Sequence, residues 1–161
     1  MALIAHVPGR HAGIVERMGR YARTVPAGRV VLLPVLDRLR AVVDLREQAI
    51  AVSPDRVRTA DGAALRIAAT VRFTVMDPVP ARYETRDLRA ALENLAATGL
   101  RDIVAGLALD DALTARSSTA ATLRGFVEPE VGRWGIRVEG VEVEPLEVVA
   151  YDDASALVSE E

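Results

Sequence analysis

Between positions 65 and 75 every second residue is apolar: Leu65, Ile67, Ala69, Val71, Phe73 and Val75 alternate with Arg66, Ala68, Thr70, Arg72 and Thr74. A period of two sends alternate side chains to opposite faces, so this stretch predicts a β-strand with one buried face. Asp61-Gly62 just before it reads as a turn, and residues 57–59, beyond Pro54-Asp55, as the preceding strand of a hairpin. Shorter strands are predicted over 12–16, 29–33 and 39–52, the last with a break near Arg46.

After Met76-Asp77-Pro78 the period changes. Leu88, Leu92, Leu95, Ile103 and Leu107, with Ala91, Ala96 and Leu100 between them, recur at helical spacing, so 86–105 predicts an amphipathic helix packed on the sheet. Asp110 is the expected N-cap of a short helix over 111–114, and Ser117 or Ser118 that of a longer one running toward Arg133. Gly125 and Pro129 predict a kink or restart of that helix at Glu128, because an interior proline removes a hydrogen bond and crowds the preceding turn. Gly135 should end it. The last predicted strand, 136–144, changes phase at Glu139-Gly140, as a β-bulge would make it do. Beyond Pro145 the chain is acidic and without period, and 152–161 reads as a frayed tail. Strands, then helices, then a strand describe an α+β fold: a mainly antiparallel twisted sheet with helices packed on one face.

Length and composition narrow the chemistry. With 161 residues, 50% of them hydrophobic, the chain can build one real core but not two independent domains. It has no cysteine, which removes disulfides, thiolate metal sites and a thiol nucleophile, and only 4% aromatic residues, which disfavours large flat ligands. Every one of the 20 basic residues is arginine, so lysine chemistry is excluded too. Net charge is −3, but unevenly spread: residues 1–50 carry eight arginines against four acids, and 126–161 two against ten. A front of +4 and a back of −8 permit a head-to-tail contact between copies. The apolar runs 1–5 and 30–33 fall far short of the ~20 residues of a helical membrane span, and no signal-peptide pattern is present. The chain as given therefore reads as cytoplasmic or peripheral at a membrane, without a transmembrane segment.

Several ordered blocks resemble a known family. His11-Ala-Gly-Ile-Val-Glu-Arg-Met-Gly-Arg-Tyr21, Val30-Val-Leu-Leu-Pro-Val-Leu-Asp-Arg38 and Val43-Asp-Leu-Arg-Glu-Gln48 are similar to the opening of the stomatin-like SPFH, or band-7, domain, also found in prohibitins and flotillins. Thr59-Ala-Asp-Gly62, Val71-Arg-Phe-Thr-Val-Met-Asp-Pro78, Leu95-Ala-Ala-Thr-Gly-Leu-Arg101, Leu113 with Arg116, and Trp134-Gly-Ile-Arg-Val138 with Val141-Glu-Val143 resemble its later blocks. On that resemblance residues 7–144 form the domain, 1–6 an N-terminal remnant or short tail, and 145–161 an acidic C-terminal tail. The resemblance implies a wedge-shaped α+β module without catalytic chemistry. Relatives usually follow a membrane anchor, assemble through a helical coiled coil, and organise membrane microdomains or regulate channels and membrane proteases. Here only six residues precede Val7, and no long heptad-bearing helix follows Val143, so either a trimmed piece or a naturally minimal member is expected.

The residues that could carry chemistry have simpler roles. His6 and His11, separated by Pro8-Gly9 with no acid before Glu16, read as surface histidines at a strand start. Asp110-Asp111 fits helix capping, and Asp152-Asp153 lies in the acidic tail. Ser117-Ser118 lacks a nucleophile elbow and a nearby histidine. The glycines form no phosphate-cradling loop, and Trp134 reads as a helix-end residue packed on the core. No catalytic, cofactor or metal residues are assigned. Arg10, Arg17, Arg20 and Arg23 are the candidate contact for lipid phosphate or a partner: with 12–16 a strand and Gly19 a turn, they should gather at one edge. Net acidity, few aromatics and no recognition motif argue against nucleic acid. The expected function is a non-enzymatic, membrane-associated scaffold that self-associates and organises or regulates membrane proteins, its partners being protein. The alternative is a monomeric adaptor that binds a membrane protease or channel without assembling.

Overall fold

The computed structural model describes residues 2–54 and 56–151. Along the chain run β1 (Leu3–Val7), β2 (His11–Arg17), β3 (Arg20–Val25), β4 (Gly28–Leu32), β5 (Asp37–Asp44), β6 (Gln48–Val52), β7 (Val57–Arg58) and β8 (Ala63–Val75), followed by α1 (Pro78–Tyr83), α2 (Leu88–Ala105), α3 (Leu109–Thr114), α4 (Arg116–Gly132) and β9 (Ile136–Tyr151). Every sheet pairing among them is antiparallel.

The alternating segment is the spine. On β8 every odd position from Ala63 to Val75 is buried. One edge of β8 pairs with β9 from Ala63↔Tyr151 to Val75↔Ile136, and the other with β6 and β7. Two helices seal the apolar face: α2 buries Leu92, Ala96, Leu100 and Val104, and α4 buries Leu123, Val127 and Val131, each a stripe with helical period. The first five strands form a second, helix-free unit around Val7, Val15, Val25, Val30 and Leu32, joined by Ala5 and Leu39. Helix α1 bridges the two units: the Tyr83 hydroxyl donates to Glu16 Oε1 at 2.8 Å, and its ring stands edge-on to Tyr21 with centroids 6.2 Å apart.

The α+β class, the strands near 12–16, 29–33 and 65–75, the break near Arg46 and the slip at Glu139-Gly140 all appear; the slip is a register shift between Arg72 and Phe73. Other expectations need correction. Strands β1 and β3 were not predicted, and they carry no clean alternation, since β3 buries only Val25 and β1 only Val7. Pro78 starts α1 at its first position, where the missing N–H costs nothing, and Asp77 caps it through Val79 N at 3.1 Å. The N-cap of α3 is Ala108, not Asp110. The Leu109 N–H is taken instead by Asp61 from a distant turn, at 3.1 and 3.3 Å. Helix α4 begins at Arg116, so Ser117 and Ser118 lie in its first turn, and it passes Pro129 unbroken. Pro129 is exposed while Val127 and Val131 on either side are buried, so the lost hydrogen bond falls on the solvent side. Strand β9 continues through Pro145 to Tyr151, where pairing with β8 replaces the missing alternation. Asp55 and residues 152–161, with Asp152-Asp153, lie outside the described residues.

Thr119 opens the buried stripe of α4, and its hydroxyl is the one buried side-chain polar atom without a partner among the described residues. Replacing an unsatisfied hydroxyl by a methyl group of similar shape removes a desolvation cost, so Thr119→Val should stabilise by about 1 kcal/mol. Calorimetry should then show the melting midpoint up by roughly 2–4 °C; a lower midpoint would mean that the hydroxyl is satisfied in solution.

Candidate functional site: an apolar tip ringed by arginines

At one end of the helix-free unit two turns lie side by side. The hairpin from β2 to β3 closes at Met18-Gly19 with Arg17 opposite Arg20, and both turn residues have positive φ, 55° and 81°, as a two-residue type I′ hairpin turn requires. The loop from β4 to β5 turns at Leu33-Pro34-Val35-Leu36, closed by Asp37 N–H donating to Leu33 O at 2.9 Å. Met18 N–H donates to Leu36 O at 3.0 Å and fixes the turns to each other.

Beneath them sits Asp37, its side chain only 1% exposed. It accepts from Arg17 Nε at 2.7 Å and Nη2 at 3.3 Å, and from Leu33 N–H at 3.1 Å. The Arg17 hydrogen bond, aided by that of Leu33, holds the Asp37 carboxyl below the usual carboxylate range, while the carboxylate pushes the Arg17 guanidinium up. This clamp presents Met18, Val35 and Leu36 outward. Val35 is fully exposed at φ 72°, and Met18 is 79% exposed. A β-branched residue in the left-handed region is strained, at a cost of about 1–3 kcal/mol, and an apolar side chain in water returns nothing for it. Stability alone does not account for such a valine.

Arginines surround the tip. Arg20 and Arg38 are exposed and make no ion pair among the described residues, and Arg40 Nε lies 3.8 Å from Glu16 Oε2. With Glu16, Met18, Gly19, Val35 and Leu36, Arg38 and Arg40 line a cavity of about 380 Å³. The four arginines singled out from sequence do not form one cluster. Arg17 and Arg20 flank the hairpin turn; Arg23 stands farther along β3 and donates to Val31 O at 2.7 Å. Arg10, with φ 58°, sits in the turn before β2, at the far end of a seven-residue strand. That places it roughly 20 Å from the tip. Met18, Val35, Leu36, Arg38 and Arg40 were missed: the predicted strand ends at 33 and nothing in the sequence marks the residues after Pro34 as exposed, while only Gly19 as a turn between Arg17 and Arg20 hinted at the hairpin tip.

The remaining residues do not converge. His11 Nδ1 lies 2.8 Å from Gly9 O and Nε2 3.9 Å from Asp44 Oδ2, while His6 sits opposite Arg29 on the β1–β4 ribbon. Asp110 and Asp111 occupy the first turn of α3, and Trp134 is half-buried against the helix-covered core. Among the described residues no three ligating side chains come together, and no helix is long and apolar enough to cross a membrane.

Comparison with known proteins follows the same lines. The model of the SPFH domain / Band 7 family matches residues 5–150. An uncharacterized protein of Mycobacterium tuberculosis is 40% identical over 144 residues, 89% of this chain and 38% of its own. Mitochondrial stomatin-like protein 2 of Rattus norvegicus is 36% identical over 146 residues, 91% of this chain and 41% of its own. A protein of Methanothermobacter thermautotrophicus is 38% identical over 135 residues, 84% and 42% of the two chains. The chain thus spans about two-fifths of the length of these relatives.

Proposed function

The chain belongs to the SPFH domain / Band 7 family, and from that premise we propose that it is a non-enzymatic scaffold module that rests its arginine-ringed tip on an anionic membrane and self-associates there to organise or regulate membrane proteins. The observation that carries this reading is Val35, fully exposed in a strained backbone beside exposed Met18 and Leu36. In the interfacial layer of a bilayer these side chains would leave water, and Arg20, Arg38 and Arg40 would meet lipid phosphates.

The magnitudes set the mode of action. Insertion is worth roughly 2 kcal/mol per apolar side chain, and attraction to an anionic surface about 1 kcal/mol per arginine. Three apolar side chains and three arginines together supply about 9 kcal/mol before the cost of association, so one chain alone binds reversibly, and several held together far more firmly. Self-association and membrane contact reinforce each other, which suits a scaffold.

Sedimentation with vesicles tests the membrane part. Wild type should pellet with phosphatidylcholine vesicles containing phosphatidylserine, less so as salt rises, and little with phosphatidylcholine alone. Met18→Asp with Val35→Asp should weaken that binding on the order of a thousandfold while leaving circular dichroism unchanged. Equal binding by the variant, or none by wild type to anionic vesicles, would defeat the assignment.

A further inference from the structure

Where the helix-free unit meets the helices, a cleft of about 350 Å³ opens between β5, α1 and the start of α2. Buried Val75 and half-buried Val43 and Leu88 line it, together with half-buried Arg82 and exposed Arg86 and Arg89. Two acids also line it, but both are engaged: Asp44 accepts from Arg46 at 2.9 Å, and Asp87 caps α2 through Ala90 N–H at 3.2 Å. Arg89 is tied to Ala49 O at 3.2 Å, whereas Arg82 and Arg86 make no hydrogen bond or ion pair among the described residues. Apolar lining and unpaired guanidiniums together fit an extended segment that alternates apolar and acidic side chains.

This chain carries exposed acidic and apolar side chains along one extended segment, in which Val143 is buried in its own core and Glu147 pairs with Arg66 at 3.5 Å. On β9, Glu142 and Glu144 have no ion-pair partner among the described residues, and Leu146 and Val148 are 50% and 45% exposed. The outer edge of β9 pairs with no other strand described. Glu144 lies opposite Ala68 on β8, and the cleft is reached at Val75, seven residues farther on. At 3.3 Å per residue the two surfaces are about 23 Å apart on one rigid strand, so they cannot meet within a copy.

We infer that the arginine-lined cleft binds the acidic part of β9, around Glu142 to Val148, of a second copy. The contact is heterologous: each copy keeps one free cleft and one free strand, so assembly continues head to tail until it closes. This rests on the self-association part of the reading above and is independent of the membrane tip.

Charge exchange tests it. Light scattering and sedimentation velocity should show the wild-type chain associating with concentration, and less so at high salt. Arg82→Glu with Arg86→Glu, and separately Glu142→Arg with Glu144→Arg, should each weaken association at least about tenfold with unchanged circular dichroism. Mixed together, the two variants should assemble again, in alternation and to wild-type size, because each supplies the complement of the other's altered surface. A wild type that stays monomeric at every concentration would remove the self-association reading and this contact with it. A wild type that associates while both variants still associate equally well, or folded variants that fail to pair when mixed, would remove this contact alone.

Discussion

Phe73→Ala is expected to cost about 3–5 kcal/mol of folding stability, as truncation of a fully buried phenylalanine does. At roughly 2–4 °C per kcal/mol for a chain of this size, the melting midpoint should fall by about 6–20 °C. Phe73 has no exposed surface and lies on the face of β8 covered by α2 and α4. Its backbone is paired on both sides, with Gln48 of β6 and Val138 of β9. A strand held at both edges cannot move inward to fill the space, so the cavity term should be felt almost in full. Because the tip is built on a separate core that shares no residue with this one, vesicle binding measured well below the new midpoint should be kept. Denaturant titration followed by circular dichroism would check the first part, and a loss under about 1 kcal/mol would show that the sheet relaxes far more than its pairing allows.

The elements legible from sequence are those whose signal is local. The alternation of 65–75 and the leucine spacing of α2 each state a burial face, and a face is what a period encodes. What stayed hidden depends on partners distant along the chain. Asp61 caps α3 from 48 residues away, and no local rule would assign it there. Strand β3 is held by pairing with β2 while burying only Val25, so it has no face to announce. Proline misleads in both directions: Pro78 starts a helix, Pro129 is tolerated within one, and Pro145 sits inside β9. The site divides in the same way. Arginine density near the N-terminus was visible, but distance along β2 separates Arg10 from Arg17 and Arg20. The exposure of Val35 follows from the Asp37 clamp and the loop it closes, which exist only once β2, β4 and β5 are assembled.

Gly135→Ala should be nearly as damaging as the loss of Phe73, at about 3 kcal/mol, though it adds only one carbon. Gly135 follows the end of α4 with φ 70°, a conformation that costs an L residue roughly 1–2 kcal/mol. The space is also taken. A Cβ there would overlap Asp77 O and stand 2.8 Å from Pro80 Cγ and 2.9 Å from Asp77 Cβ. The nearest of these is a backbone oxygen, so no rotamer change relieves the contact, and the chain itself must shift. It is held where it is, because Gly135 O accepts from Met76 N–H at 2.7 Å and from Asp77 N–H at 3.0 Å. Asp77 in turn caps α1, the helix that carries Arg82 to the cleft and Tyr83 to Glu16. The substitution should therefore do two things that Phe73→Ala does not: disturb α1, and loosen the Tyr83 contact between the two units. Its signature would be a fall of roughly 6–12 °C in the melting midpoint, together with faster amide exchange in 77–84 than in α2. An unchanged midpoint would show that the turn re-forms around a Cβ, and protection in α1 equal to wild type would show that the helix does not depend on this glycine.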